Sequence, residues 1–300
     1  AYKYATNSGI RWRPVLELIP PEIPRWGIQQ GMVYNPATND VYIFGGVATF
    51  PVTGPSNQCV RYNADTEKWT LLSALAAPVR YPMSCIYQNT IYVVAFDTIQ
   101  SFNTATNKWA SLVGPAYGTE FCFGAGARGV LWNGKLIVFG MSASGSSALR
   151  VAQYDLVTKA WTRPSLNPIP SGYSYAAVAL IGNKLYITGR TDASPVIQTF
   201  DLLTLVWGSI TVNKNIPSSG GCAVVNGKFY VFGGYDPALA AHTKTCYRFD
   251  PADNSLVKMN DLAIPFTSGA AVATAGSKIY ISGGDAVGGG DSFYAYDTNQ

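Results

Sequence analysis

One histidine, His242, is all the imidazole this chain possesses, and that count limits its chemistry. A Ser-His-Asp or Cys-His nucleophile would need His242 as its base, and no nucleophile elbow accompanies it. Glutamates are four, Glu17, Glu22, Glu67 and Glu120, so a paired-glutamate acid–base site has little to draw on. A hydrolase working through aspartates alone stays open. No P-loop is present, and Gly124-Ala125-Gly126 falls inside a strand-like pattern, away from any helix start. The five cysteines, Cys59, Cys85, Cys122, Cys222 and Cys246, never stand at C-x-x-C spacing, which suggests neither a zinc knuckle nor a redox pair. No Asn-x-Ser/Thr sequon marks a glycosylated surface.

Charge is sparse and scattered. Lys and Arg total 21 against 17 Asp and Glu, a net +4, and no basic run concentrates it. A nucleic-acid partner would call for clustered Lys and Arg, so none is expected. Apolar runs are broken by Gly, Asn or Lys within about ten residues, too short for a membrane-spanning helix. Charged residues make up 13% of the chain, while Gly reaches 30 and Tyr 19. That balance fits a β-rich protein with many tight turns and argues against disorder. The chain opens at Ala1 without an initiator Met, as a processed or excised segment would.

The elements that must position any site are repeated. Aligned on a glycine pair or its replacement, copies start at Gly45, Ala95, Gly140, Gly189, Gly233 and Gly283, in steps of 50, 45, 49, 44 and 50 residues. A second marker keeps the register: Tyr62-Asn63, Phe102-Asn103, Tyr154-Asp155, Phe200-Asp201, Phe249-Asp250 and Tyr296-Asp297. Seven residues beyond the aromatic stand Trp69, Trp109, Trp161, Trp207 and, in the fifth copy, Leu256. The Asn or Asp side chain starts a turn by bonding nearby backbone, and the Trp offers a large face for packing between sheets. Upstream of the glycines, Asn133-Gly134, Gly182-Asn183, Asn226-Gly227 and Gly276-Ser277 separate alternating apolar runs, a strong hairpin signal. Each unit therefore reads strand, tight turn, strand, glycine pair, long loop, strand, Asx turn, short strand. In the sixth unit Tyr296 calls for a Trp beyond the final Gln300. Trp12-Arg13-Pro14, similar to Trp161-Thr162-Arg163-Pro164, is expected to supply that outer strand from the N-terminus and close the ring.

On these marks the chain resembles the Kelch-repeat β-propellers. The likeness rests on Gly45-Gly46, Gly233-Gly234, Gly283-Gly284 and the aromatic-to-Trp spacing, and it runs over essentially all 300 residues. Blade two departs with Ala95-Phe96, blade three with Gly140-Met141, blade four with Gly189-Arg190, and blade five lacks its Trp. The expected fold is all-β: one domain over 1–300, a six-bladed propeller with four antiparallel strands per blade and the last blade closed by the N-terminal strand.

The resemblance implies that partners meet one end of the ring, built from the loop after each glycine pair and the segment leading into each first strand. Carried onto this chain, the post-glycine loops contain Phe50, Asp97, Ser142, Arg190, Asp192, Tyr235, Asp236, His242 and Asp285. The lead-in segments contain Arg25, Trp26, Arg80, Tyr81, Phe121, Phe123, Tyr173, Tyr175 and Phe266. Trp26, Tyr81, Phe121, Tyr173, Tyr175 and Tyr235 would suit a peptide anchor or sugar stacking, or would pack between blades. Asp97, Asp192, Asp236 and Asp285 would hold a hard cation or be solvated loop residues; no EF-hand spacing supports the cation, and no metal or cofactor is expected. Arg128, on the innermost strand of blade three, would point into the central channel, either to hold an anion or as half of an ion pair.

The leading expectation is a non-catalytic binding scaffold for a protein partner or neighbouring subunit. A carbohydrate-binding propeller is the first alternative, and a sugar mutarotase similar to the Kelch-type sialic acid enzymes the second. Galactose oxidase is similar in fold alone, since its copper site needs paired histidines. Low charge leans the expected location toward extracellular over cytoplasmic.

Overall fold

The computed structural model describes residues 12–15, 29–48, 54–95, 98–114, 128–141, 149–162, 173–190, 192, 194–262, 270–283 and 293–299. Six four-stranded antiparallel sheets make six blades. Blade one is β2 (Gly31–Asn35), β3 (Asp40–Phe44), β6 (Cys59–Asn63) and β7 (Lys68–Leu71), with a small ribbon of β4 (Val47–Ala48) and β5 (Gly54–Pro55) beyond its glycines. Blade two is β8 (Met83–Tyr87), β9 (Thr90–Ala95), β10 (Thr98–Asn103) and β11 (Lys108–Leu112). Blade three is β12 (Arg128–Trp132), β13 (Lys135–Met141), β14 (Leu149–Asp155) and β15 (Trp161–Thr162). Blade four is β16 (Tyr173–Ile181), β17 (Lys184–Arg190), β18 (Val196–Asp201) and β19 (Trp207–Thr211). Blade five is β20 (Gly221–Val225), β21 (Lys228–Asp236), β22 (Ala241–Asp250) and β23 (Ser255–Met259). Blade six is β24 (Ala270–Ala275), β25 (Lys278–Gly283) and β26 (Phe293–Asp297), completed by β1 (Trp12–Pro14).

The N-terminal strand closes the ring. β1 lies antiparallel to β26 with Trp12 opposite Tyr296. That pair repeats Tyr62 opposite Trp69, Phe102 opposite Trp109, Tyr154 opposite Trp161, Phe200 opposite Trp207 and Phe249 opposite Leu256. The seven-residue spacing is thus a cross-strand pair, and the sixth copy completes it from the other terminus. Innermost strands β2, β8, β12, β16, β20 and β24 each neighbour the next, and β24 returns to β2.

Local chemistry explains the strand ends. Asn63 Oδ1 accepts from the Thr66 amide, Asn103 Oδ1 from Thr106, Asp155 Oδ1 from Thr158 and Asp201 Oδ1 from Thr204. Those backbone bonds, with the Thr158 and Thr204 amides the largest contributors, hold the Asp155 and Asp201 carboxyls below the usual carboxylate range. Asn133-Gly134 and Asn226-Gly227 both have positive φ at both positions, as a type I′ hairpin turn requires.

The core lies between blades. Trp69 packs edge-on to Phe293 of blade six at 5.2 Å between ring centroids, and Trp109 packs against Phe44 of blade one at 6.4 Å. Trp109 Nε1 donates to the Ser73 carbonyl and Trp161 Nε1 to the Val113 carbonyl, each in the preceding blade. In these two, the ring packs between blades while the indole N–H stays satisfied.

Candidate binding site at the channel mouth

The glycine pair builds the loop end of the ring. Gly46 N–H donates to the Val79 carbonyl, so the segment leading into blade two crosses directly over the pair. A Cβ on Gly45 would lie 2.4 Å from Val79 Cγ2, and one on Gly234 would lie 2.1 Å from the Ser218 carbonyl oxygen, where Tyr235 and Ser218 exchange backbone bonds. Gly234 also sits at φ 102. Close approach and positive φ together demand glycine there.

These crossings bring the lead-in segments around a central mouth. A cavity of about 180 Å³ opens there, lined among others by Gln29, Gln30, Tyr81, Ser84, Arg128 and Gly220. Tyr81 takes φ 50 and donates its N–H to the Gln29 carbonyl, tying two lead-in segments together. A second cavity of about 370 Å³ continues down the axis, lined by Tyr34, Val130, Leu180, Val224 and Thr274 among others. Met32, Ser84, Val178, Cys222 and Val272 line both, forming the waist between them. At this waist Ser84 Oγ donates to the Met32 carbonyl and Cys222 Sγ to the Val178 carbonyl, each reaching across to the preceding blade. Among the described residues lining the two cavities, Arg128 is the one charged side chain. It opens β12, half-buried, and its charge opposes the burial that pushes the Cys222 thiol up. A guanidinium in a channel otherwise lined by amides, hydroxyls and apolar groups can hold a carboxylate or another anion with charge-assisted hydrogen bonds.

The other expected site residues are distributed around this mouth in several ways. Arg80 is exposed beside half-buried Tyr81. Tyr235, Asp236 and His242 were expected in a loop, yet β21 and β22 continue pairing past the glycines, with Tyr235 opposite His242 and Asp236 opposite Ala241. The blade-five loop is therefore a paired two-stranded extension, with the exposed Tyr235 and His242 rings edge-to-face at 5.4 Å. Asp236 spends its Oδ1 on the Ala238 amide and Asn215 Nδ2, and Asp192 on the Ser194 amide. These two aspartates act as turn caps. Tyr173 and Tyr175 lie within β16, not ahead of it, and Arg190 ends β17 opposite Tyr173. Arg25, Trp26, Phe121 and Asp285 lie outside the described residues, as do Phe50, Asp97, Phe123, Ser142 and Phe266. Among the described residues no three His, Cys, Asp or Glu side chains group as metal ligands. Cys59, Cys85, Cys222 and Cys246 are free, and burial pushes the Cys85 and Cys246 thiols up to about 12.

Sequence reasoning missed Gln29, Gln30, Ser84 and Cys222. Ser84 and Cys222 break otherwise apolar first strands at equivalent positions, opposite Val93 and Val231, and that was their signal. The two glutamines precede β2 without any pattern.

The profile of the KLHDC2/KLHL20/DRC7 Kelch-repeats domain matches residues 35–220, and the Kelch motif matches residues 217–255. The chain belongs to the Kelch-repeat family. Among curated relatives, this Kelch propeller is 34% identical to an N-acetylneuraminate epimerase from Pasteurella multocida over 39% of its own length and 32% of the relative's. It is 25% identical to the Kelch-like protein terF of Aspergillus terreus over 66% of its length and 47% of the relative's. With Kelch-like protein 21 of Danio rerio it shares 25% identity over 66% of its length and 30% of the relative's. The matches thus span less than half of each relative. Among the described residues no helix is long and apolar enough to cross a membrane.

Proposed function

We propose that this Kelch propeller is a non-catalytic binding scaffold that engages a protein segment across its loop end, with Arg128 receiving an acidic group at the channel mouth. The observation that carries this reading is a single guanidinium set in a channel lined otherwise by uncharged described residues. Around it, exposed Arg80 and the Tyr235–His242 extension offer further contacts on the same end. The two Kelch-like relatives favour a scaffold role. A displayed random-peptide library tests it. Enriched peptides should carry acidic residues, and Arg128→Gln should weaken them about tenfold to a hundredfold, the usual worth of a hydrogen bond to a charged group. Failure to enrich any peptide, or equal binding by Arg128→Gln, overturns the reading.

A sugar mutarotase is the second reading, favoured by the similarity to N-acetylneuraminate epimerases and by an arginine placed to meet a sugar carboxylate. Exchange of α and β anomers of N-acetylneuraminate, followed by NMR with and without protein, separates the two. An unchanged rate removes the enzyme. The carbohydrate-binding alternative is tested by a glycan array, where no bound sugar removes it.

A further inference from the structure

The segment between β7 and β8 brings Tyr81 to the channel mouth, with exposed Arg80 beside it. Tyr81 lies there at φ 50, a left-handed conformation that a bulky residue holds only where its surroundings impose it. Pro82 follows, and a residue before proline favours extended backbone, which adds to the strain. Three backbone anchors impose the conformation, one at every second residue. Tyr81 N–H donates to the Gln29 carbonyl. Val79 N–H donates to the Ser56 carbonyl, and the Val79 carbonyl accepts from Gly46. Ala77 is held by a side chain instead. Its N–H donates to Gln100 Oε1 and its carbonyl accepts from Gln100 Nε2, each at 3.0 Å.

Gln100 is 1% exposed, inside β10. The sheet itself does not require an amide there. At the matching position, two residues ahead of the aromatic, blade one has buried Val60 and blade three buried Ala152. Val93, the cross-strand neighbour of Gln100, belongs to a buried apolar cluster with Leu75 and Val79 of the lead-in segment. An amide in such a place costs stability unless its oxygen and its nitrogen are both bonded, and here both are spent on the backbone of one residue. What the amide adds over a valine is a fixed place for Ala77, four residues ahead of Tyr81. Pro78 restricts the chain between them, so a shift at Ala77 is passed on toward Tyr81.

We propose that Gln100 is a positioning residue, setting the lead-in arch of blade two so that Tyr81 keeps its strained place at the mouth. Its part in binding rests on the reading of that mouth as a peptide site; its hold on the arch does not.

Two variants test both halves. Hydrogen exchange needs no ligand. In Gln100→Leu the amides of Ala77, Val79 and Tyr81 should exchange at least about tenfold faster, while β9 and β10 keep wild-type protection. Protection lost equally through β9 and β10 would mark a merely structural role, and unchanged exchange at Ala77 and Tyr81 would release the arch from Gln100; either result overturns the proposal. Gln100→Glu restores the amide's pattern only when its new carboxyl is protonated, since a neutral acid donates to the Ala77 carbonyl and accepts from the Ala77 N–H. Burial raises the pKa of that carboxyl, so Gln100→Glu should behave like Gln100→Leu at about pH 8 and approach wild type, measured at the same pH, at about pH 5. This reversal within one protein also decides the matter if Gln100→Leu fails to fold, and its absence overturns the proposal.

The binding probe is the acidic peptide that wild type enriches most from the displayed library. Gln100→Leu should bind it about tenfold more weakly, and Gln100→Glu should recover that loss between about pH 8 and about pH 5 relative to wild type. Equal binding by Gln100→Leu while the Tyr81 amide opens overturns the positioning role and leaves the peptide reading intact. A library that enriches nothing overturns the peptide reading and the binding half with it, while exchange still judges the hold on the arch.

Discussion

At the turns joining third to fourth strands, five blades build one hairpin; around the channel mouth, each blade does something different. In the turns, the capping residue is Asn63, Asn103, Asp155, Asp201 or Asp250, and the residue four positions later is Glu67, Asn107, Lys159, Leu205 or Asn254, all at φ between 54 and 59. The capping bonds are local, from an Asn or Asp oxygen to amides two or three residues on, and repeat with the same few atoms, while Asn107 and Lys159 also reach the preceding blade through Ser73 and the Tyr92 hydroxyl. At the mouth, by contrast, one blade's glycines are shaped by the next blade's lead-in segment, and the outcome ranges from a ribbon at β4–β5 to a long paired extension at β21–β22. Repetition therefore marks what holds the ring, and irregularity marks where a partner can be distinguished.

That contrast can be broken from the scaffold side first. Trp69→Ala removes a side chain that is 8% exposed and packs on both Tyr62 and Phe293. It should cost about 3–5 kcal/mol of stability, read as a lower denaturant midpoint. An unchanged midpoint would show that the seam between blades one and six does not depend on it.

The loop side gives the next largest effect. Gly234→Ala drives a Cβ to 2.1 Å from the Ser218 carbonyl oxygen at φ 102 and should cost about 2–4 kcal/mol. Its partner is Gly227→Ala, also at positive φ but with nothing within 4 Å of the added carbon, which should cost only about 1–2 kcal/mol. Equal losses by thermal or chemical melting would mean that the crossing of blade five by Ser218 does not constrain that glycine.

Smallest is a gain. Leu205→Asn should stabilise the fold by about 0.5–1 kcal/mol, because asparagine reaches the left-handed region at less cost. Its mirror, Asn254→Leu, at φ 57 in the matching turn, should lose a similar amount. Melting curves that move in the opposite directions would separate the two turns that their backbones make alike.

The scaffold was legible in the chain because its signals are local or periodic. The aromatic-to-Trp spacing became a cross-strand pair, the Asx residues became turn caps, and the missing sixth Trp was found as Trp12 opposite Tyr296. The mouth was legible only in pieces. Arg128 could be placed on an inner strand by alignment, but Gln29 and Gln30 carry no periodic mark, and nothing near Tyr235 or His242 announced that pairing would run on past the glycines.

What the sequence determined by itself was the number of blades, their strand order and the closure, since each follows from short-range spacing repeated six times. Only the tertiary structure decided which side chains share the channel. Residues as distant as Met32, Ser84, Val178 and Cys222 meet at one waist because ring closure, not chain proximity, sets their separation.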